Sequence, residues 1–162
     1  MSTRRDFLKG TIASTLVPGV LFSKMINKIS RSINNPVVIS PWKFGREVNQ
    51  AAMRLLRHGK SALDAVEAGA NVAENDLTIR TVGLGGRPDE DGHVTLDACI
   101  MDSRGNAGSV AFLQEIKNPV SVARKVMERS DHVMLVGEGA KRFALAHGFK
   151  EENLLTEVSR RE

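Results

Sequence analysis

Val94-Thr95-Leu96-Asp97-Ala98-Cys99-Ile100-Met101 alternates without a break: Val94, Leu96, Ala98 and Ile100 fall on one side of an extended chain, and Thr95, Asp97, Cys99 and Met101 on the other. A period of two with one apolar side reads as a strand that covers a core with a single face. Asp91-Gly92 before it is a hairpin signal and Ser103-Arg104-Gly105-Asn106 after it closes a second turn, with Gly108 to Phe112 as the partner strand. Cys99 lies inside this apolar run and reads as a buried structural thiol, since free cysteine commonly behaves as a small hydrophobe. It is the only cysteine in 162 residues, so the chain can close no internal disulfide and assemble no thiolate metal cluster.

Working outward, the upstream run Val37-Val38-Ile39-Ser40 is short and β-branched, which predicts a buried strand. From Gly45, the residues Val48, Ala51, Ala52, Leu55 and Leu56 recur at helical spacing, and Gly59 ends that helix. Ser61 with Asp64 predicts a capping box for a second helix, whose Ala62, Ala65, Val66, Gly69, Val72 and Ala73 form a small-residue stripe suited to close packing. Downstream, Asn118-Pro119 predicts the start of a helix carrying Val122, Ala123, Val126 and Met127. Val133 to Val136 is continuously apolar and predicts a strand buried on both faces; a last helix, Ala140 to His147, ends at Gly148. This order of elements predicts an α/β fold with a layered sheet.

The formal charge of +4 is unevenly placed. Residues 1–35 hold six Lys or Arg against Asp6 alone, leaving 17 basic and 18 acidic groups in the rest. The basic balance therefore belongs to the leader, and with no tyrosine in the chain a nucleic-acid partner loses its support. Thr3-Arg4-Arg5-Asp6-Phe7-Leu8-Lys9 followed by the apolar run Gly10 to Phe22 matches a twin-arginine export signal, so residues 1–35 are expected to be signal and linker, residues 36–162 the mature domain, and the destination the periplasm.

Other motifs carry no chemistry. Gly59-Lys60-Ser61 resembles the end of a phosphate-binding loop, but Arg54 stands where that loop needs its first glycine. Gly137-Glu138-Gly139 lacks the third glycine of a dinucleotide fingerprint, because Arg142 occupies its place. His58, His93, His132 and His147 are scattered without metal-ligand spacing, and Asp89-Glu90-Asp91 beside Pro88 and Gly92 reads as a solvated turn. Neither a cofactor nor a metal is expected.

Four segments together resemble the α-subunit of the glycosylasparaginase family: Ser40-Pro41-Trp42-Lys43-Phe44-Gly45, Val82-Gly83-Leu84-Gly85-Gly86, Thr95-Leu96-Asp97-Ala98 and Leu135-Val136-Gly137-Glu138-Gly139. The resemblance runs from about Pro36 to about Glu157. It implies an N-terminal-nucleophile hydrolase with an αββα sandwich, of which this chain supplies part and a β-subunit portion the rest. It also implies autoproteolysis at an Asp-Thr bond that frees the nucleophilic threonine, and oligomers of two-part units acting on glycosyl-asparagine. No Asp-Thr pair occurs in this sequence, so the resemblance places the catalytic threonine outside the chain and implies that the chain alone is inactive. By resemblance Trp42 contacts substrate; on composition alone, the sole tryptophan would be a core or rim anchor. Pro41 stands where the family usually has threonine and Leu84 where an aromatic is common, while Asp97 and Glu138 match, Asp97 with an expected structural role. An isoaspartyl peptidase or asparaginase of the same fold is the alternative enzyme, and a truncated, non-catalytic interaction module the alternative of another class.

Overall fold

Helix α1 (Gly45–Arg57) and helix α2 (Ala62–Glu74) open the fold in the computed structural model, which describes residues 35–161. The Arg4-Arg5 signal lies outside the described residues. At the end of α1 the Gly59 amide donates to the Leu56 carbonyl and the Lys60 amide to Leu55, both at 3.0 Å, satisfying the last helical carbonyls. The capping box then forms as the sequence predicts: Asp64 N–H donates to Ser61 Oγ at 3.1 Å, and Ser61 N–H donates to Asp64 Oδ2 at 3.3 Å. Gly59-Lys60-Ser61 is thus a helix junction. The two helices meet through Ala51 and Ala52 on α1 and Ala65, Gly69 and Ala73 on α2, all buried. The stripe on α2 is narrower than expected, because Ala62 and Val66 face outward.

Strand β1 (Thr95–Met101) pairs antiparallel with β2 (Ala107–Gln114), and β3 (Met134–Val136) adds to β2 in parallel, giving the order β1-β2-β3. Helix α3 (Pro119–Arg129) is the crossover that a parallel pair requires, and α4 (Gly137–Ala146) leaves β3 directly. One sheet face and these two helices share the main core: Ile100, Val110 and Leu113 meet Val122, Ala123, Val126, Ala140 and Ala144. Helix α3 lies so close on β2 that a Cβ on Gly108 would run into the Ala123 carbonyl and the Met127 amide. The inward alternation of Val94, Leu96 and Ile100 is as read from sequence.

Several expectations need correction. Val37 to Ser40 forms no strand; Val37 and Ile39 are 76% and 86% exposed, because no strand among the described residues offers them a ladder of partners. Asp91-Gly92 closes a turn, not a hairpin, since residues 82–90 are not extended into a paired strand. β3 is short and not buried on both faces, with Met134 and Val136 exposed at the sheet edge. Cys99 is exposed, because the sheet face it points from has no covering layer among the described residues. The α/β assignment itself stands, with one small sheet and four α-helices among the described residues.

Candidate functional site

Trp42 sits in the turn that feeds α1 and is 64% exposed. Its carbonyl accepts the Gly45 N–H at 2.9 Å, and its ring stacks on Phe44 with centroids 6.0 Å apart and planes 4° from parallel. Ser40 Oγ donates to Asn49 Oδ1, tying the segment before the turn to the helix after it. The tryptophan is therefore a presented ring on a held turn, not a core anchor.

The glycine motif is a clasp. The Leu84 amide donates to the Glu74 carbonyl and the Gly85 amide to Leu154, both at 2.8 Å, so the motif ties the end of α2 to the chain near its own C-terminal side. Gly83 has φ +59, and a Cβ there would run into the Glu74 backbone. Leu84 fills a small second core with Val94, Leu96, Leu154 and Leu155, so an aliphatic side chain packs where the resembling family often has an aromatic.

Glu74 was missed in the sequence reading. It is buried at the end of α2, where its Oε1 accepts the Val120 N–H at 3.0 Å and its Oε2 accepts Asn118 Nδ2–H at 3.1 Å. These bonds make Glu74 a cap of α3; the helix starts at Asn118-Pro119 as the sequence predicts, but Asn118 makes no side-chain cap bond of its own. Burial pushes the Glu74 carboxyl up to about 7, against the pull of both hydrogen bonds. The one legible signal was an acid directly after the small-residue stripe of α2.

The outer face of the sheet carries Asp97, Cys99 and Met101 from β1, exposed Phe112 from β2, and exposed Met134 and Val136 from β3. Asp97 Oδ1 accepts the Phe112 N–H at 2.8 Å. Phe112 holds φ +51, and the pairing shifts register between Leu96 and Ala98, so Asp97 braces a β-bulge. That is the structural role expected for it. Glu138 lies exposed in the first turn of α4, where an acid complements the helix N-terminus.

Among the described residues the threonine and histidine side-chain hydrogen bonds serve local turns and helix ends. Thr78 bonds Asp76, and Thr156 exchanges hydrogen bonds with buried Ser159, which together brace the 3-10 turn Ser159–Arg161. His58 Nδ1 donates to the Arg54 carbonyl at 2.7 Å and His147 Nδ1 to Phe143 at 2.8 Å, and all four histidines are exposed. Asp89 accepts the backbone N–H groups of Asp91 and His93, so the acidic run is the turn the sequence suggested. No group of His, Cys, Asp or Glu among the described residues could hold a metal ion, and no helix among them is long and apolar enough to cross a membrane.

Trp42 is held outward on its turn, and the small sheet of this α/β fold leaves one face without a covering layer among the described residues. A family model described as Asparaginase matches residues 25–162, and the chain belongs to that asparaginase family. It is 52% identical over 165 residues to the N(4)-(β-N-acetylglucosaminyl)-L-asparaginase of Elizabethkingia miricola, covering 99% of this chain and 48% of the relative. The proteins of that name from Rattus norvegicus and Mus musculus are each 47% identical over 126 residues, covering 77% of this chain and 36% of theirs. The chain thus spans about half the length of the bacterial relative and about a third of the rodent ones.

Proposed function

We propose that this chain is the α-portion of an amidohydrolase that cleaves the amide between N-acetylglucosamine and asparagine, its nucleophilic threonine carried by a second portion. The observation that carries this reading is the 52% identity, over 99% of the chain, to a relative named for that reaction. Two exposed features support it: Trp42 presented on its turn and, elsewhere on the fold, an apolar sheet face without a covering layer among the described residues.

In this reading the second portion lays its own sheet over Cys99, Met101, Phe112, Met134 and Val136, completing an αββα sandwich and burying surface that water now covers. Its N-terminal threonine uses its free α-amino group as general base toward its own hydroxyl, forms an acyl intermediate with the aspartyl carbonyl, and yields it to water. No cofactor is needed for that chemistry. Trp42 contacts the substrate, and the Asp97 bulge fixes the sheet against which the second portion packs. Autoproteolysis frees the threonine, complete two-part units form oligomers, and the Arg4-Arg5 signal sends the protein to the periplasm through the twin-arginine pathway.

The test is substrate preference. The complete two-part enzyme is offered N4-(β-N-acetylglucosaminyl)-L-asparagine and an isoaspartyl dipeptide in parallel. Higher kcat/KM on the glycosylated substrate is expected; preference for the dipeptide would move the protein to the isoaspartyl peptidase reading.

A further inference from the structure

Between Lys43 and Lys60 the chain carries five Lys or Arg against one acid, Glu47, whereas residues 61–161 carry 12 basic against 16 acidic groups. Most of this charge is on one side of α1. Arg46, Asn49, Gln50, Met53, Arg54 and Arg57 line a single shallow, open groove along the helix, and the three arginines and Gln50 are exposed. Among the described residues no carboxylate lies within ion-pair distance of Arg46, Arg54 or Arg57.

The helix itself accounts for only part of this. Cations in a last turn complement the partial negative charge of a helix C-terminus, which gives Arg54 and Arg57 a local reason. Arg46 is in the first turn, where the helix end disfavours a cation, and Lys43 precedes the helix altogether. At the helical rise, Arg46 and Arg57 are about 16 Å apart along the axis, so the strip is an extended line of positive charge. It begins beside the stacked Trp42–Phe44 pair.

We propose that the solvent face of α1 is an extended subsite for an acidic glycan, whose amide-linked end lies at Trp42. The glycan's orientation rests on the functional reading above. Guanidinium groups match carboxylate and sulfate oxygens with paired hydrogen bonds, and the amides of Asn49 and Gln50, set between the arginines, donate to and accept from sugar hydroxyl and acetamido groups. An anionic membrane fits less well: an interfacial helix dips an apolar face into lipid, but the apolar face of α1 is already buried against α2, and the strip itself offers only half-buried Met53.

The test is binding by the 162-residue chain, read from the fluorescence of Trp42, its only tryptophan. A sulfated heparin hexasaccharide is the probe and neutral chitohexaose the comparison. The sulfated probe is expected to bind the tighter, with affinity falling as salt rises. The triple variants R46E/R54E/R57E and R46Q/R54Q/R57Q, with folding checked by circular dichroism, are expected to lose about tenfold or more in affinity, and the triple lysine variant much less. Unchanged binding by the glutamate and glutamine variants would overturn the subsite, as would equal or tighter binding to phosphatidylglycerol vesicles or to a DNA oligonucleotide. Absence of hydrolysis by the complete enzyme with this binding intact would instead overturn the functional reading and leave the strip standing.

Discussion

Glu74 couples two helices and a pH dependence in one side chain. An unfolded glutamate titrates near 4.5 and the folded one near 7, so between those values the native state binds more protons than the unfolded chain. Its contribution to stability is therefore fully present below about 4.5 and is lost as pH rises through about 7, a change of about 3 kcal/mol. Glu74→Gln stays neutral throughout, and urea melts at pH 5 and pH 8 should show a smaller difference between the two pH values in the variant than in the parent. Identical pH dependence in both would refute the assignment. At Gly83 the constraint is steric: Gly83→Ala places a methyl group against the Glu74 backbone at a φ that L-residues avoid. A loss of about 3 kcal/mol or more in stability is expected, read as a fall in the urea midpoint. Trp42→Ala makes the opposite kind of prediction. Its ring is mostly in water, so the variant should melt within about 0.5 kcal/mol of the parent. If the proposed two-part enzyme uses Trp42 as a substrate contact, the variant should raise KM for the glycosylated substrate well above that of Trp42→Phe, which keeps an aromatic ring.

Arg124 on helix α3 has three carboxylate partners, and they differ in how far they could be read from the chain. Arg124 Nη1 reaches Asp64 at 2.8 Å and Glu67 at 2.6 Å on α2, while its Nε reaches Glu128 at 2.7 Å on α3 itself. Arg124→Met leaves those three carboxylates facing one another, and a loss of about 1–2 kcal/mol that shrinks in high salt is expected from denaturant melts. The Glu128 pair, four residues from Arg124, is visible in sequence spacing; the α2 partners are not, since 57 and 60 residues separate them from Arg124. The same division runs through the fold. The Ser61–Asp64 capping box, the Gly59 helix stop and the Val94–Ile100 alternation were legible because each is decided within one turn or one strand. Val37 to Ile39 was misread because a β-branched run states a preference for extension but not whether a partner strand exists. Cys99 was misread because its burial depends on what lies over the sheet, and Glu74 was missed because its partners arrive 44 and 46 residues later.

At the scale of the whole molecule, the open sheet face and the α1 strip divide the surface by chemistry. Met101, Phe112, Met134 and Val136 are each more than half exposed on one apolar face, a surface that associates when left in water. If a second portion covers it, Met101→Lys should weaken association of the two portions by about tenfold or more in pull-down titrations while leaving the fold of this chain intact, because the position is 65% exposed. Of the candidate site itself, the motif around Trp42 was legible; the presentation of Trp42 on a stacked pair was not, because stacking is set by how the turn closes onto α1. The central claim is that this chain supplies scaffold and substrate contact while another portion supplies the threonine. Aspartate release from N4-(β-N-acetylglucosaminyl)-L-asparagine, measured with the 162-residue chain alone and after assembly with a threonine-starting complement, tests it most directly. The account predicts release only from the assembled protein; turnover by the chain alone, or none after assembly, would contradict it.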